Sequence, residues 1–161
     1  MPVEPDPGAP SIRWEPSSLP VVPSRHLAVV TCMDSRIDVF AMLGLAAGEA
    51  HIVRNAGAIV TDDVLRSLVL SQRKLQTRAI MIIGHTDCGV EGLDVDAFRD
   101  ELSEAAGQQP EFPLLAFEDV AASVRAGVAR LRSSPYLVDA THVTGHVLDV
   151  AHGVVRTVDA G

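Results

Sequence analysis

Cysteine is scarce in this chain, with only Cys32 and Cys88 among 161 residues. At that count no framework of disulfides holds the fold, and a packed core has to do so. Basic residues are also short, 13 against 21 acidic ones, which leaves a net charge of −8. That balance disfavours nucleic acid or an anionic membrane as partner, since either asks for a basic face. No apolar run approaches the roughly 20 residues of a membrane-spanning helix. The first residues lack the charged-then-apolar order of a signal peptide, so a soluble, cytoplasmic protein is expected. No internal repeat is visible. What remains is ordinary for a globular chain, 47% apolar and 21% charged, at a length that suits one domain with one sizeable core.

Proline is nearly confined to one end. Seven of the ten fall within the first 23 residues, and that density excludes helix and central strand there. Residues 1–25 are expected to form a Pro-rich arm, with Trp14 beside Arg13 able to lie against the body or a neighbouring subunit. Residues 26–161 are expected to form a single α/β domain.

From His26 the pattern alternates between short apolar runs and helical spacing. Residues 26–32 (HLAVVTC) predict a buried strand and SRIDVFAML a short helix. AHIVRNAG at 50–57 predicts a second strand ending in a turn. Thr61 before Asp62 and Asp63 predicts a capped helix with acids in its first turn, continued by Val64, Leu68, Ser71 and Leu75. RAIMIIG at 78–84 is the plainest buried strand. Helical segments follow around 95–105 and 117–132, and HVTGHVLDV with VVRTV predicts a closing hairpin around Ala151–His152–Gly153. Continuous apolar strands separated by helices predict a mainly parallel sheet flanked by helices. Ligands of such sheets bind at the carboxyl ends of strands.

Two of those ends carry reactive groups. Cys32 closes one strand, followed at alternate positions by Asp34 and Arg36, a spacing that puts three groups on one side if the chain stays extended. GHTDCG at 84–89 follows another strand, and its His85 and Cys88 can point at one centre across a tight turn. Taken singly, each cysteine reads as a buried thiol and His85 as a core histidine. Taken together, two thiolates and an imidazole at neighbouring strand ends match the donor preference of Zn²⁺, with a fourth position left for water. The Asp34–Arg36 pair, on its own, is an ordinary surface salt bridge worth about 0–1 kcal/mol.

CMDSR at 32–36, VRNAG at 53–57 and GHTDCG at 84–89, in that order, resemble the β-class carbonic anhydrases. The resemblance runs from about His26 to the closing hairpin. It implies a zinc enzyme that hydrates carbon dioxide reversibly to bicarbonate, one Zn²⁺ per chain on Cys32, His85 and Cys88. Asp34 and Arg36 then form a catalytic dyad, with Asp34 a possible fourth ligand in a closed state if Arg36 releases it. Asn55, Gly57 and Gly89 are expected on the substrate side: Asn55 and Gly57 in a turn that lets a second strand end approach, Gly89 allowing close packing after Cys88. The Cys88 thiolate is expected to gain from a helix N-terminus. The assembly implied is a homodimer or homotetramer, with the arm embracing a partner subunit. A bicarbonate pocket found in some family members places a tryptophan where this chain has Val29. Arg54 matches that pocket's arginine, but the pocket as a whole is absent. His26, His51, His142, His146 and His152 are expected to be structural or exposed.

Three other readings compete. Hydrolases of carbonyl sulfide or carbon disulfide resemble this family in ligands and dyad, and attack the central carbon of a similar linear molecule. A non-catalytic zinc module closed by Asp34 leaves Arg36 without a role. A redox switch between Cys32 and Cys88 leaves His85 and the dyad unexplained.

Overall fold

The computed structural model describes residues 18–159. Most of the expected arm, including Arg13 and Trp14, lies outside the described residues. Its last residues run beside the start of the second strand, where Ser24 and Arg25 donate backbone N–H groups to the carbonyls of Gly48 and Glu49 at 3.0 and 3.1 Å.

Five strands form one sheet: β1 (Leu27–Cys32), β2 (Ala50–Asn55), β3 (Ala79–His85), β4 (Val143–Asp149) and β5 (Val154–Val158). Their order is β2-β1-β3-β4-β5, parallel throughout except for the hairpin partner β5. Four helices connect them: α1 (Val39–Leu43), α2 (Asp62–Leu75), α3 (Val95–Ala106) and α4 (Val120–Arg132). The predicted strands and helices all occur, within a few residues of the expected ends.

Alternation along the strands divides the core. Ala28, Val30, Ile80, Ile82 and Val143 face Val64 and Leu68 of α2 and Val120, Val124, Val128 and Leu131 of α4. The opposite face collects Val29, Ile83 and Leu148 with Ile37, Val39, Ala58 and both cysteines. Thr61 caps α2 as its sequence suggests, its hydroxyl oxygen accepting from the Val64 N–H, with Asp62 and Asp63 complementing the helix dipole. Helix α4 sits tight on the sheet because Gly84 and Gly145 offer it no side chain. A methyl group at either position would stand 2.6 Å from a Val120 or Val124 methyl.

This order has one consequence for function. The chain leaves β1 for β2 on one side and returns to β3 on the other, so β1 and β3 flank the point where the winding reverses. Crevices outside the carboxyl ends of strands at such a point are where open α/β sheets bind ligands. Cys32 is the last residue of β1 and His85 the last of β3.

Candidate metal centre

Cys32, His85 and Cys88 are brought together from those strand ends and the turn after β3. One ligand atom from each lies within 4.8 Å of the others, and all three residues are buried. The two Sγ atoms are 4.0 Å apart. Two sulfur ligands on a tetrahedral zinc at 2.3 Å stand about 3.8 Å apart, so the pair is already at ligand spacing. The decisive atom is His85 Nε2. The His85 side chain is 1% exposed, and Nδ1 is 2.9 Å from the Thr86 carbonyl, which accepts its proton and leaves Nε2 with a free lone pair. Nε2 has no hydrogen-bond partner among the described residues. A buried acceptor without a partner is costly, and a cation held between it and two thiolates removes that cost. The residues present therefore fit zinc.

Backbone amides prepare the thiols. Gly57 donates its N–H to Cys32 Sγ at 3.3 Å, and the Val90 N–H does the same for Cys88. Burial still pushes the Cys88 thiol above its ordinary pKa, and the neighbouring Cys32 pushes it further. Two thiols this close would bind a metal as thiolates, their protons released to solvent. Gly57 is required where it stands. Its φ is +79°, and an added methyl would meet a Phe117 ring carbon at 2.9 Å.

The dyad forms by a turn. Strand β1 ends at Cys32, so alternation along an extended chain is not what aligns Asp34 and Arg36. Asp34 opens a tight turn instead: its carbonyl accepts from the Ile37 N–H at 3.1 Å, and its Oδ1 from the Arg36 N–H at 2.9 Å. That folds the Arg36 side chain back onto the carboxylate, Nε to Oδ1 at 3.0 Å and Nη2 to Oδ2 at 2.8 Å. The fork holds the Asp34 carboxyl well below the usual carboxylate range. Asp34 Oδ2 is also 3.8 Å from His85 Nε2. The carboxylate thus faces the candidate ligand His85 while both its oxygens are tied to Arg36.

Two expectations are overturned. Gly89 does not pack closely: a methyl group there meets nothing within 4 Å. Nor does Cys88 sit at a helix N-terminus, since the next helix, α3, starts at Val95 after a series of turns. The donor to its sulfur is a single turn amide. Asn55 stands in register with Cys32 on the neighbouring strand, and its Nδ2 donates to the Ile59 carbonyl at 2.7 Å, closing the turn that carries Gly57. An apolar cavity of about 350 Å³ is lined by residues including Asn55, Ile59, Val90, Leu93, Phe98 and Leu114, with Asn55 in register with Cys32 and Val90 two residues after Cys88.

Sequence reading places Asp87 in a turn, able to hydrogen-bond near the site, without giving its partner, and it missed the work of Arg54. Arg54 donates Nε to the Cys32 carbonyl at 2.8 Å and Nη2 to the Asp34 carbonyl at 2.7 Å, fixing the backbone on both sides of Met33. Its place in VRNAG, one residue ahead of Asn55, was the available signal. Asp87 accepts from Arg36 across 51 residues of sequence, and only the adjacency of β1 and β3 reveals it. The other histidines hold the scaffold or the surface. His26 lies 2.8 Å from the Gln76 carbonyl, His51 2.8 Å from the Ser71 hydroxyl, and His152 2.9 Å from Asp149.

Comparison with known proteins bears on this arrangement. The carbonic anhydrase family model matches residues 27–109. Beta-carbonic anhydrase 1 of Mycobacterium tuberculosis is 44% identical over 140 residues, covering 87% of this chain and 86% of that protein. The crystal structure of the carbonic anhydrase from Streptococcus mutans superposes with a TM-score of 0.84 at 42% identity, covering 90% of this chain and 88% of that one. A carbon disulfide hydrolase of Acidithiobacillus thiooxidans is 30% identical over 154 residues, covering 83% of this chain and 77% of that enzyme.

Proposed function

The chain belongs to the β-carbonic anhydrase family, and on that premise we propose that it hydrates carbon dioxide reversibly to bicarbonate at a zinc ion held by Cys32, His85 and Cys88. The observation that carries this reading is the partnerless Nε2 of buried His85, converging with two thiols beside a carboxylate that Arg36 holds off the ligand set.

Bound there, zinc supplies Lewis acidity, which acidifies water enough to make it a nucleophile near neutral pH. The remaining work is done by the chain. Cys32 and Cys88 bind as thiolates, and their amide donors, Gly57 and Val90, spread part of that charge into the backbone. His85 binds as neutral imidazole, its tautomer fixed by the Thr86 carbonyl. Asp34, its carboxylate held ionised by Arg36, would accept a hydrogen bond from the attacking water at Oδ2 and so orient it toward the carbon of CO₂. Arg36 keeps Asp34 in that role and out of the fourth ligand position. Two thiolates and a neutral imidazole would cancel the charge of Zn²⁺ and acidify water less than three neutral histidines do, so activity is expected to rise toward alkaline pH. The apolar cavity beside Asn55 and Val90 suits a substrate without charge, which supports Asn55 on the substrate side.

The kinship with a carbon disulfide hydrolase makes that substrate the second to assay. It ranks below CO₂ because a curated carbonic anhydrase shares 44% identity over a similar share of the chain, against 30%. We further propose a homodimer or homotetramer, with the Pro-rich arm of residues 1–25 wrapped on a partner subunit, working in the cytoplasm. In support, α3 buries none of its residues within one chain, and a structural neighbour from Sordaria macrospora is described as tetrameric. No helix among the described residues is long and apolar enough to cross a membrane.

Stopped-flow CO₂ hydration on zinc-quantified protein, from about pH 6.5 to about pH 9, tests the reading. Rates that grow with pH, and fall by about 10²-fold or more in both Asp34→Ala and Arg36→Ala, are expected. Full zinc occupancy with no hydration at any pH refutes it.

A further inference from the structure

The guanidinium of Arg36 is gripped from two sides. Toward Asp34 it presents Nε and one N–H of Nη2, at 3.0 and 2.8 Å. Toward Asp87 it presents Nη1, 2.7 Å from Oδ2, and the second N–H of Nη2, 2.8 Å from the main-chain carbonyl. Four of the five donors of the fork are committed, each to its own acceptor, so Asp87 does not compete with Asp34. It fixes the plane in which Arg36 meets Asp34.

The backbone of Asp87 is shaped for this. Its φ is +54°, in the left-handed region that few residues besides Gly, Asn and Asp adopt readily. That conformation turns the carbonyl and the carboxylate toward one guanidinium. Strained residues of this sort persist where the surrounding structure over-determines them. Here the surroundings are a turn between two metal-ligand candidates, His85 and Cys88.

We propose that Asp87 is a positioning residue for the hydration reaction, acting through Arg36 to keep the Asp34 carboxylate on the guanidinium and off the metal. The proposal rests on the reading of the site given above. The ion pair itself contributes little binding energy, because the Asp87 side chain is 83% exposed while that of Asp34 is 16% exposed. What Asp87 supplies is orientation.

Two substitutions tolerate the left-handed backbone and so leave the turn intact. Asp87→Gly removes the side chain, and Asp87→Asn keeps an oxygen acceptor without its charge. The expected result is a fall in kcat/KM of about three- to ten-fold in Asp87→Gly at unchanged zinc content, recovered in large part by Asp87→Asn. Placed on Arg36→Ala, Asp87→Gly should add no further loss, because the residue has nothing left to act through. A crystal structure of zinc-loaded Asp87→Gly should show Arg36 away from Asp34, or the Asp34 carboxylate turned onto the metal. An Asp87→Gly enzyme with wild-type kcat/KM overturns the proposal, as does a loss that multiplies with that of Arg36→Ala. If the zinc-loaded wild type hydrates no CO₂, the functional reading fails instead. The Arg36 side chain in the Asp87→Gly crystal then still decides the positional claim: an unmoved fork overturns it.

Discussion

Gly57 and Gly89 look alike in the sequence, each beside a motif residue, yet the structure assigns them opposite costs. Gly57→Ala forces a side chain into a backbone at φ +79°, which costs about 1 kcal/mol for an L residue. The new methyl also meets a Phe117 ring carbon at 2.9 Å and Ile59 side-chain carbons at 3.3 and 3.4 Å. Overpacking of that kind costs about 1–3 kcal/mol. The turn has little room to yield, because the Gly57 N–H is bound to Cys32 Sγ and the Asn55 side chain closes it. Together these give a destabilisation of about 2–4 kcal/mol, or a fall in Tm of about 5–15 °C for a chain of this size. Gly89→Ala meets open space at an ordinary φ and should stay within about 0.5 kcal/mol of wild type. Urea unfolding of the three zinc-loaded proteins at one protein concentration measures both. Equal midpoints for Gly57→Ala and wild type, or equal losses in the two variants, refute the reasoning.

Removing a ligand should release the metal without dissolving the fold. His85→Ala should retain no zinc after dialysis against a mild chelator, while far-ultraviolet circular dichroism keeps its native shape; a stoichiometric ion on that variant by atomic absorption contradicts the ligand set. The depressed acidity of Asp34 has a definite sign. A carboxyl held below its ordinary value of 3.8 keeps its charge, and the stability drawn from Arg36, as pH falls to that value, and loses both only below it. Carboxyl ¹³C titration down to about pH 2 should therefore show Asp34 ionised after the exposed aspartates have protonated, and Arg36→Ala should return it to their range. An unchanged midpoint in Arg36→Ala contradicts the fork as its cause.

The strands and the three longer helices were legible because local patterns determine them. Continuous apolar runs mark β1 and β3 as buried on both faces, and Thr61 with Asp62 and Asp63 marks the start of α2. The cluster of Cys32, His85 and Cys88 was legible from donor chemistry at strand ends, once parallel pairing of β1 and β3 was assumed. What escaped depends on geometry at long range or on side chains bonding their own backbone. The turn at Asp34 arises because its carboxylate takes the Arg36 N–H, which a reading in extended or helical periods does not see. The contact from Arg36 to Asp87 and the crowding of Gly57 by Phe117 join residues 51 and 60 positions apart. Gly89, without such a neighbour, shows that adjacency to a ligand says nothing about a glycine's surroundings.

The burial of β1 bears finally on how long an ion stays once bound. Ala28, Val29, Val30 and Thr31 are completely shielded from solvent, and three of the residues facing them in β3 are equally so. Segments of that kind open only when the whole molecule does, whereas surface turns open locally and often. Cys32 and His85 close two such strands, whereas Cys88, though also buried, sits on the turn after β3. An ion held by all three would be expected to lose Cys88 first, with Cys32 and His85 still in place to take it back. The residence time of a bound ion would then be set by the sheet and not by the turns that carry Arg36 and Asp87.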